Sequence, residues 1–156
     1  MMTRRQANAG IAASAAAVAL SGEVLAQDLK PLPLPPPRTE GGMALMSALK
    51  ARRSTREYSD RPIPAQTLSD LLWAAYGINR PNGDRTAPYW RHIMVIDVYA
   101  VMADGVWLYE PKSHSLVPYL NTDLRALTGT QDFVRGAPLN LVYVAHGERM
   151  TGISAE

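Results

Sequence analysis

The sequence predicts an α+β fold in which a mostly antiparallel sheet is flanked by helices. Two helical segments precede a pair of strands joined by a tight turn, a short helix follows, and an apolar strand comes last. This order differs from the strand–helix alternation that is typical of a doubly wound parallel sheet. The composition agrees with a globular chain, since 47% of the 156 residues are hydrophobic and 19% are charged.

Residues 1–26 have the order of an export signal. A basic stretch with Arg4 and Arg5 is followed by the apolar run IAASAAAVAL and by the tripeptide Val24-Leu25-Ala26. We therefore predict a signal peptide that is cleaved after Ala26, and the arginine pair favours the twin-arginine route. The apolar run is shorter than the roughly 20 residues that span a bilayer. We expect a periplasmic or otherwise exported protein with no stable membrane anchor after cleavage.

Residues 27–42 are rich in proline and read DLKPLPLPPPRTEGG from Asp28 onward. Proline lacks the amide donor and favours an extended polyproline conformation, which excludes a helix or the interior of a sheet. We predict a semi-rigid tether between the signal peptide and a folded domain over residues 43–156. The alternative is a docking motif for a proline-binding domain.

Two helices are predicted at the start of the domain. The segment from Met43 to Leu49 spaces its apolar residues by three, which indicates a short amphipathic helix. The segment PIPAQTLSDLLWAAYG has apolar residues at helical spacing from Leu68 to Ala75. Pro64 suits the first turn of that helix and Gly77 suits its end.

The remaining segments are predicted to form the sheet. The segment IMVIDVYAVMADGVWLYE is typical of two strands with a turn at Ala103-Asp104-Gly105, and SLVPYL is predicted as a third strand. NTDLRALTG is predicted as a short helix, capped by Asn121 or Thr122 and ended by Gly129. The run from Ala137 to Ala145 is apolar on both faces, which predicts a central strand. Few elements remain to cover such a strand, so we expect an incomplete domain.

Three arginines crowd around Ser54 at the predicted end of the first helix. Arg52, Arg53 and Arg56 all lie within two positions of that serine. A phosphate presents several acceptor oxygens, which guanidinium groups and a hydroxyl can satisfy together. Cations at a helix C-terminus also gain about 0.3–1 kcal/mol each, although mutual repulsion reduces that gain. The residues alone therefore leave two alternatives, an anion site and a solvated helix end.

Several other functions are disfavoured by the sequence. The formal net charge of +2 is too small for a broad nucleic-acid surface, so no nucleic-acid partner is predicted. Cysteine is absent, which excludes thiolate zinc sites and cysteine nucleophiles. No dinucleotide fingerprint, phosphate loop, zinc-protease motif or serine-hydrolase motif is present. His92, His114 and His146 have no partner at ligand spacing, so no metal site is predicted, and His114 is expected to be solvated.

The segment from Ala48 to Pro88 resembles the nitroreductase family of FMN-dependent oxidoreductases. The family signature is a helix that ends in R-R-S-x-R, followed by an aromatic residue, a proline turn and a leucine-rich helix. Here Arg52 to Arg56, Tyr58 and Pro62 carry the signature, and the second predicted helix follows. A looser resemblance continues through the hairpin and GTQDFVRGAPLNLVYVA, so it covers the chain after the proline-rich segment.

The resemblance implies an enzyme in which NADH or NADPH reduces FMN and a small oxidant, nitroaromatic- or quinone-like, then stacks on the flavin. Arg52 and Ser54 are similar to the ligands of the FMN phosphate. Arg53 is similar to a residue along the phosphate or ribityl chain, and Arg56 to the cation at the pyrimidine edge. The resemblance implies no further catalytic side chain. It also implies an intertwined homodimer with FMN at the subunit boundary.

The loop after the second helix departs from the family pattern A-P-S-x-x-N-x-Q. Tyr89 stands in place of the serine, His92 in place of the asparagine and Met94 in place of the glutamine. His92 can still donate a hydrogen bond to the flavin, and Trp90 is expected either beside the ring or over the core. Because the ring-side polar residues are replaced, an alternative function remains. It is a non-catalytic exported module that binds an anion or a partner chain.

Overall fold

The computed structural model describes residues 30–89 and 93–150. The predicted signal peptide at residues 1–26 and the candidate residue His92 lie outside the described residues. The described strands are β1 (Leu32–Pro33), β2 (Ile96–Met102), β3 (Gly105–Glu110), β4 (Ser115–Leu120) and β5 (Asn140–Ala145). The helices are α1 (Leu45–Ala51) and α2 (Ala65–Tyr76), with short 3₁₀ turns at Arg125–Leu127, Asp132–Gly136 and Gly147–Met150.

These strands form one antiparallel sheet in the order β1-β4-β3-β2-β5, which confirms the predicted α+β class. The predicted hairpin is also confirmed, because β2 pairs with β3 and Met102 lies opposite Gly105 at the turn. Gly105 has a φ of +146°, and a Cβ there would lie 2.4 Å from the carbonyl oxygen of Leu120. Only glycine fits this position without a clash.

Helix α2 covers the sheet and supplies one side of the core. Leu68, Leu72 and Tyr76 recur every four residues and are buried against sheet residues that include Val98 and Leu116. Each buried leucine contributes about 1.5–3 kcal/mol relative to an exposed one. The predicted boundaries hold, since Pro64 precedes the helix and Gly77 ends it. The amide of Gly77 donates to the carbonyl of Trp73 at 2.7 Å.

Helix α1 forms where the sequence predicts it, but its apolar side contacts no core. Leu45, Met46 and Leu49 are all more than half exposed, from 56% for Leu49 to 75% for Met46. None of the residues of α1 is buried. An exposed apolar helix face of this kind is typical of a surface that meets another chain or segment. No helix in the described ranges is both long enough and apolar enough to cross a membrane.

The described residues do not place the run from Ala137 to Ala145 at the centre of the sheet, contrary to the prediction. Strand β5 begins at Asn140 and lies at an edge of the described sheet, where it pairs with β2. Strand β3 holds the central position instead. Apolar residues on both faces of a strand indicate that both faces can be buried. They do not indicate the position of the strand in the sheet, which depends on pairing with strands far away in the sequence. Tyr143 of β5 is more than half exposed.

The short helix predicted over NTDLRALTG is only a 3₁₀ turn at Arg125–Leu127. Neither Asn121 nor Thr122 caps it, because Leu124 occupies the cap position without a side-chain hydrogen bond. The carboxylate of Asp123 accepts the Arg125 amide at 3.0 Å and so favours a tight local turn. A sequence pattern for a capped helix does not reveal this competing turn.

The proline-rich segment is packed on the domain from Leu32 onward, where the sequence predicts a tether. Leu32 pairs with Leu116 and Pro33 with Ser115, so β1 is an edge strand, where a missing amide donor is tolerated. The carbonyl of Pro35 accepts a hydrogen bond from the hydroxyl of Ser69 in α2 at 2.6 Å. Arg38 and Asp70 add an ion pair at 2.6 Å. This packing could not be read from proline content, which indicates only an extended backbone.

Candidate functional site

The arginine cluster lies on an exposed segment that leaves the end of α1. The amide of Arg52 closes the helix by donating to the carbonyl of Ala48 at 2.9 Å, and the chain then has no regular secondary structure through Tyr58. Arg52, Arg53 and Ser54 are all exposed. The ion pairs of the described residues involve other basic side chains, so no carboxylate of this part of the chain neutralises the cluster. The cluster therefore offers free guanidinium donors.

Arg56, the last arginine of the signature, contacts a distant part of the chain. Its guanidinium carbon lies 5.5 Å from the ring centroid of Phe133, which is a cation–π contact. Phe133 belongs to the 3₁₀ turn at Asp132–Gly136. It is the single phenylalanine of the sequence, and sequence reasoning did not assign it a role. The contact ties the signature segment to the region before β5.

Asn140, the first residue of β5, fixes the turn that carries Phe133. Its side-chain amide donates to the hydroxyl of Thr128 at 2.9 Å and to the carbonyl of Val134 at 3.1 Å. Arg125 supports the same region, because its Nη1 donates to the carbonyl of Ala137 at 3.0 Å. These bonds hold the two 3₁₀ turns together and position Phe133 beneath Arg56.

A cavity of about 450 Å³ lies just beyond the signature. Its volume is in the range of small-molecule sites in proteins. Asp60, Arg61 and Ile63 line it from the signature side, and Asp104 lines it from the hairpin turn. Arg125 lines it as well and is held by the carboxylate of Asp123 at 2.8 Å. The residues that line the cavity on this side follow the arginine cluster in the sequence, but Arg52, Arg53 and Ser54 do not line it themselves.

In the loop after α2, the side chains of Tyr89 and Met94 form hydrogen bonds with other residues of the same loop. The hydroxyl of Tyr89 donates to the carboxylate of Asp84, and this hydrogen bond is the main reason that the pKa of Tyr89 is raised. The sulfur of Met94 accepts from Nη2 of Arg85 at 3.3 Å. Trp90 and His92 lie outside the described residues, so the predicted contact between His92 and the flavin stays a prediction.

Comparisons with known proteins identify the family of this chain. The model of the family described as "Nitroreductase family" matches residues 49–156. This chain belongs to the nitroreductase family. The "Putative nitroreductase MJ1384" of Methanocaldococcus jannaschii is 33% identical over 119 aligned residues, and the match covers 70% of this chain and 60% of that protein. The predicted resemblance is therefore confirmed.

A solved structure supports the same assignment. The crystal structure of a "putative nitroreductase" from Ralstonia eutropha JMP134 is 45% identical, with a TM-score of 0.75, and the match covers 81% of this chain and 61% of that one. The chain thus spans about 60% of the length of each of these relatives. The fold is shared with the solved structure from Ralstonia eutropha.

In this nitroreductase-family chain, His114 is not in the solvated environment that the sequence predicts. Its Nδ1 lies 2.9 Å from the hydroxyl of Tyr109, and its Nε2 lies 2.7 Å from Oγ of Ser69. The expectation of a solvated histidine is wrong, because the residue is half-buried and both ring nitrogens have a protein partner. Ser69 donates to Pro35, so Nε2–H donates to Ser69 and Nδ1 accepts from Tyr109. Burial lowers the pKa of His114.

His146 also has partners that sequence spacing did not reveal. Its Nε2 lies 2.9 Å from the carboxylate of Asp97, and its Nδ1 lies 2.8 Å from that of Glu148. Asp97 is brought there by the pairing of β2 with β5. Hydrogen bonds from Arg149 are the main reason that the pKa of Asp97 is lowered. Within the described ranges, no group of three or more histidine or acidic side chains is placed to hold a metal ion.

Proposed function

We propose that this chain binds FMN through Arg52, Arg53 and Ser54 and serves an FMN-dependent oxidoreductase that takes electrons from NADH or NADPH. The observation that carries the proposal is the exposed cluster of guanidinium groups and a hydroxyl, which no described carboxylate neutralises. A phosphate monoester carries nearly two negative charges and three acceptor oxygens. Membership of the nitroreductase family supports the same cofactor.

The donor set fits the terminal phosphate of FMN. Arg52 and Ser54 would hold the phosphate oxygens, and Arg53 would lie along the phosphate or ribityl chain. Arg56 would supply positive charge at the pyrimidine edge of the flavin. Bound FMN supplies the hydride chemistry, and the residues of this chain bind and orient it. The oxidant is proposed to be a small planar molecule, nitroaromatic- or quinone-like, that stacks on the flavin.

The exposed apolar side of α1 supports a homodimer as the working form. Leu45, Met46 and Leu49 would be buried against a second copy of the chain, which would remove apolar area from water. The edge position of β5 is compatible with further contacts of this kind. Export through the twin-arginine route to the periplasm is proposed from residues 1–26 alone. That route fits a protein that loads its cofactor before export.

Spectroscopy of the purified chain tests the proposed function. We expect the protein, as isolated or after addition of FMN, to show flavin absorbance that is bleached by NADPH or NADH under anaerobic conditions. Heat denaturation should release FMN in a ratio near one per chain. Colourless protein that neither takes up added FMN nor oxidises nicotinamide would contradict the proposal.

A second candidate function is supported by the loop after α2. Tyr89 and Met94 engage Asp84 and Arg85, so neither side chain replaces the ring-side polar residues of the family. An exported module that binds an anion or a partner chain without catalysis would need the arginine cluster but would not need polar side chains beside a flavin ring. Retention of phosphate compounds without any flavin absorbance would favour this module over the enzyme.

A further inference from the structure

Arg56 is the arginine of the signature whose side chain contacts another part of the fold. Its guanidinium carbon lies 5.5 Å from the centroid of the Phe133 ring. None of the ion pairs of the described residues involves Arg56. A cation–π contact is made with the face of the ring and uses none of the five N–H donors of a guanidinium group. Phe133 can therefore hold the cation while its donors stay available to a ligand.

The segment that carries Arg56 provides little local support for this side chain. It has no regular secondary structure, and Arg56 is exposed. The hydroxyl of Tyr58 donates to the carbonyl of Thr55 at 3.4 Å, which is a long and local hydrogen bond. An exposed arginine side chain loses considerable rotamer entropy when it is held in one orientation. A contact from elsewhere in the fold is therefore needed to favour one orientation of the guanidinium.

The structure holds Phe133 firmly enough to give that support. Phe133 is half-buried in the 3₁₀ turn before β5. The carbonyl of the next residue, Val134, accepts a hydrogen bond from the side-chain amide of Asn140 at 3.1 Å. The side chain of Val134 packs against Gly129, where a Cβ would lie 3.0 Å from Cγ2 of the valine. The turn is thus held by a hydrogen bond and by close packing, and its ring is a fixed partner for Arg56.

The two segments joined by this contact also line the cavity of about 450 Å³. The residues from Ser59 to Ile63, which follow Arg56 closely, line it on the signature side. Gly136, which belongs to the same turn as Phe133, lines it as well. The contact between Arg56 and Phe133 therefore links two parts of the chain that both contribute to the wall of this cavity.

The orientation of Arg56 matters for the chemistry that is proposed for it. Its proposed place is the pyrimidine edge of the flavin, where two-electron reduction adds negative charge. Charge near that edge is one means by which a protein tunes a flavin. A cation that is held there stabilises reduced FMN more than oxidised FMN, because the attraction acts on the added charge. A cation that samples many orientations gives a weaker effect, so loss of its support should lower the reduction potential.

We propose that Phe133 is a positioning residue of the FMN site, which holds Arg56 toward the pyrimidine edge of the flavin and so raises the reduction potential of bound FMN. This inference rests on the proposed function. Phe133 acts through Arg56 and needs no contact with the flavin. The opposite arrangement, in which the ring holds Arg56 away from FMN, predicts tighter FMN binding once the ring is removed.

The reduction potential of FMN bound to Phe133→Leu and Phe133→Met tests this proposal, because both changes remove the ring at similar volume. Anaerobic equilibration with a redox dye gives the potential. We expect the affinity for reduced FMN to fall about three- to tenfold more than that for oxidised FMN, which lowers the two-electron potential by about 14–30 mV. The dissociation constant of oxidised FMN should rise about two- to fivefold.

Two further variants are the controls for loss of the ring. Phe133→Tyr keeps an aromatic face and should retain the potential and the FMN affinity of the wild type. Tyr119→Leu removes a part-exposed ring that contacts the ring of Tyr99 instead of a cation, and it should change neither quantity. Far-ultraviolet circular dichroism identifies the folded variants. If one of the two ring-removing variants does not fold, the other decides.

A double-mutant cycle shows whether Phe133 acts through Arg56. In an Arg56→Met background, Phe133→Leu should cause no further change in the potential of bound FMN. An equal shift with and without Arg56 would overturn the positioning role, as would an unchanged potential or tighter FMN binding in the ring-removing variants. A wild-type chain that takes up no FMN would instead contradict the proposed function, and this inference with it.

Discussion

Ser69, Tyr109 and His114 form a chain of hydrogen bonds that is satisfied when the proton of the imidazole lies on Nε2. The hydroxyl of Ser69 donates to Pro35 and therefore acts as the acceptor toward His114, which places the proton of the imidazole on Nε2. The Tyr109 hydroxyl then donates to Nδ1. Burial raises the pKa of Tyr109 to about 12, so the phenol stays protonated. Burial lowers the pKa of His114 and so favours the neutral imidazole between α2, the β3–β4 turn and the proline-rich segment.

The pH dependence of unfolding tests this assignment of His114. Because its pKa is lower in the folded than in the unfolded protein, the unfolded chain binds more protons below pH about 6.5. The contribution is fully present above that pH and is lost as pH falls toward the folded pKa. We expect the free energy of unfolding to fall between pH 7.5 and 5, with a slope of at most about 1.4 kcal/mol per pH unit from this group.

The His114→Asn variant should show a smaller slope over the same range. Asparagine tolerates the φ of 45° at this position, so the variant changes the titrating group without adding backbone strain. Asp70, whose pKa is lowered to about 2 chiefly by the backbone amide of Arg38, titrates well below this range. A slope equal to that of the wild type in chemical denaturation would show that His114 does not contribute.

At the level of elements, local signals correctly predicted α2 and the hairpin but failed for the 3₁₀ turn at Arg125–Leu127, and contacts between distant segments were not predicted. Pro64 and Gly77 defined α2, and Asp104-Gly105 defined the hairpin, because each signal acts within a few residues of the structure it specifies. The edge position of β5 and the contact between Arg56 and Phe133 depend on chain segments far apart in sequence. No spacing rule could predict either.

The β2–β3 turn should tolerate no side chain at Gly105. Gly105→Ala places a Cβ about 2.4 Å from the carbonyl of Leu120 and imposes a positive φ on alanine. We expect the free energy of unfolding to fall by at least about 2 kcal/mol, measured by denaturant titration. Gly136→Ala is the matched control, since a Cβ there meets nothing within 4 Å. Equal stability of the two variants would contradict the described turn.

At the scale of the whole molecule, the described residues place the arginines of the signature on one exposed segment, and their proposed role in binding phosphate stays a prediction. The arginines and Ser54 are exposed, no described carboxylate forms an ion pair with these arginines, and Arg56 contacts Phe133. The sequence predicted these residues because the signature is contiguous. It did not predict a role for Phe133, because the contact with Arg56 depends on packing between segments that are far apart in the sequence.

The affinity of the Arg52→Ala variant for FMN tests the central claim most directly. Removing a hydrogen bond to a charged group costs about 1.5–3 kcal/mol, so the dissociation constant should rise roughly 10- to 150-fold. Lys50→Ala removes a neighbouring positive charge from α1 and should change it much less. Fluorescence titration of the chain with FMN gives these constants. An Arg52→Ala variant that binds FMN as tightly as the wild type would contradict the assignment of the phosphate site.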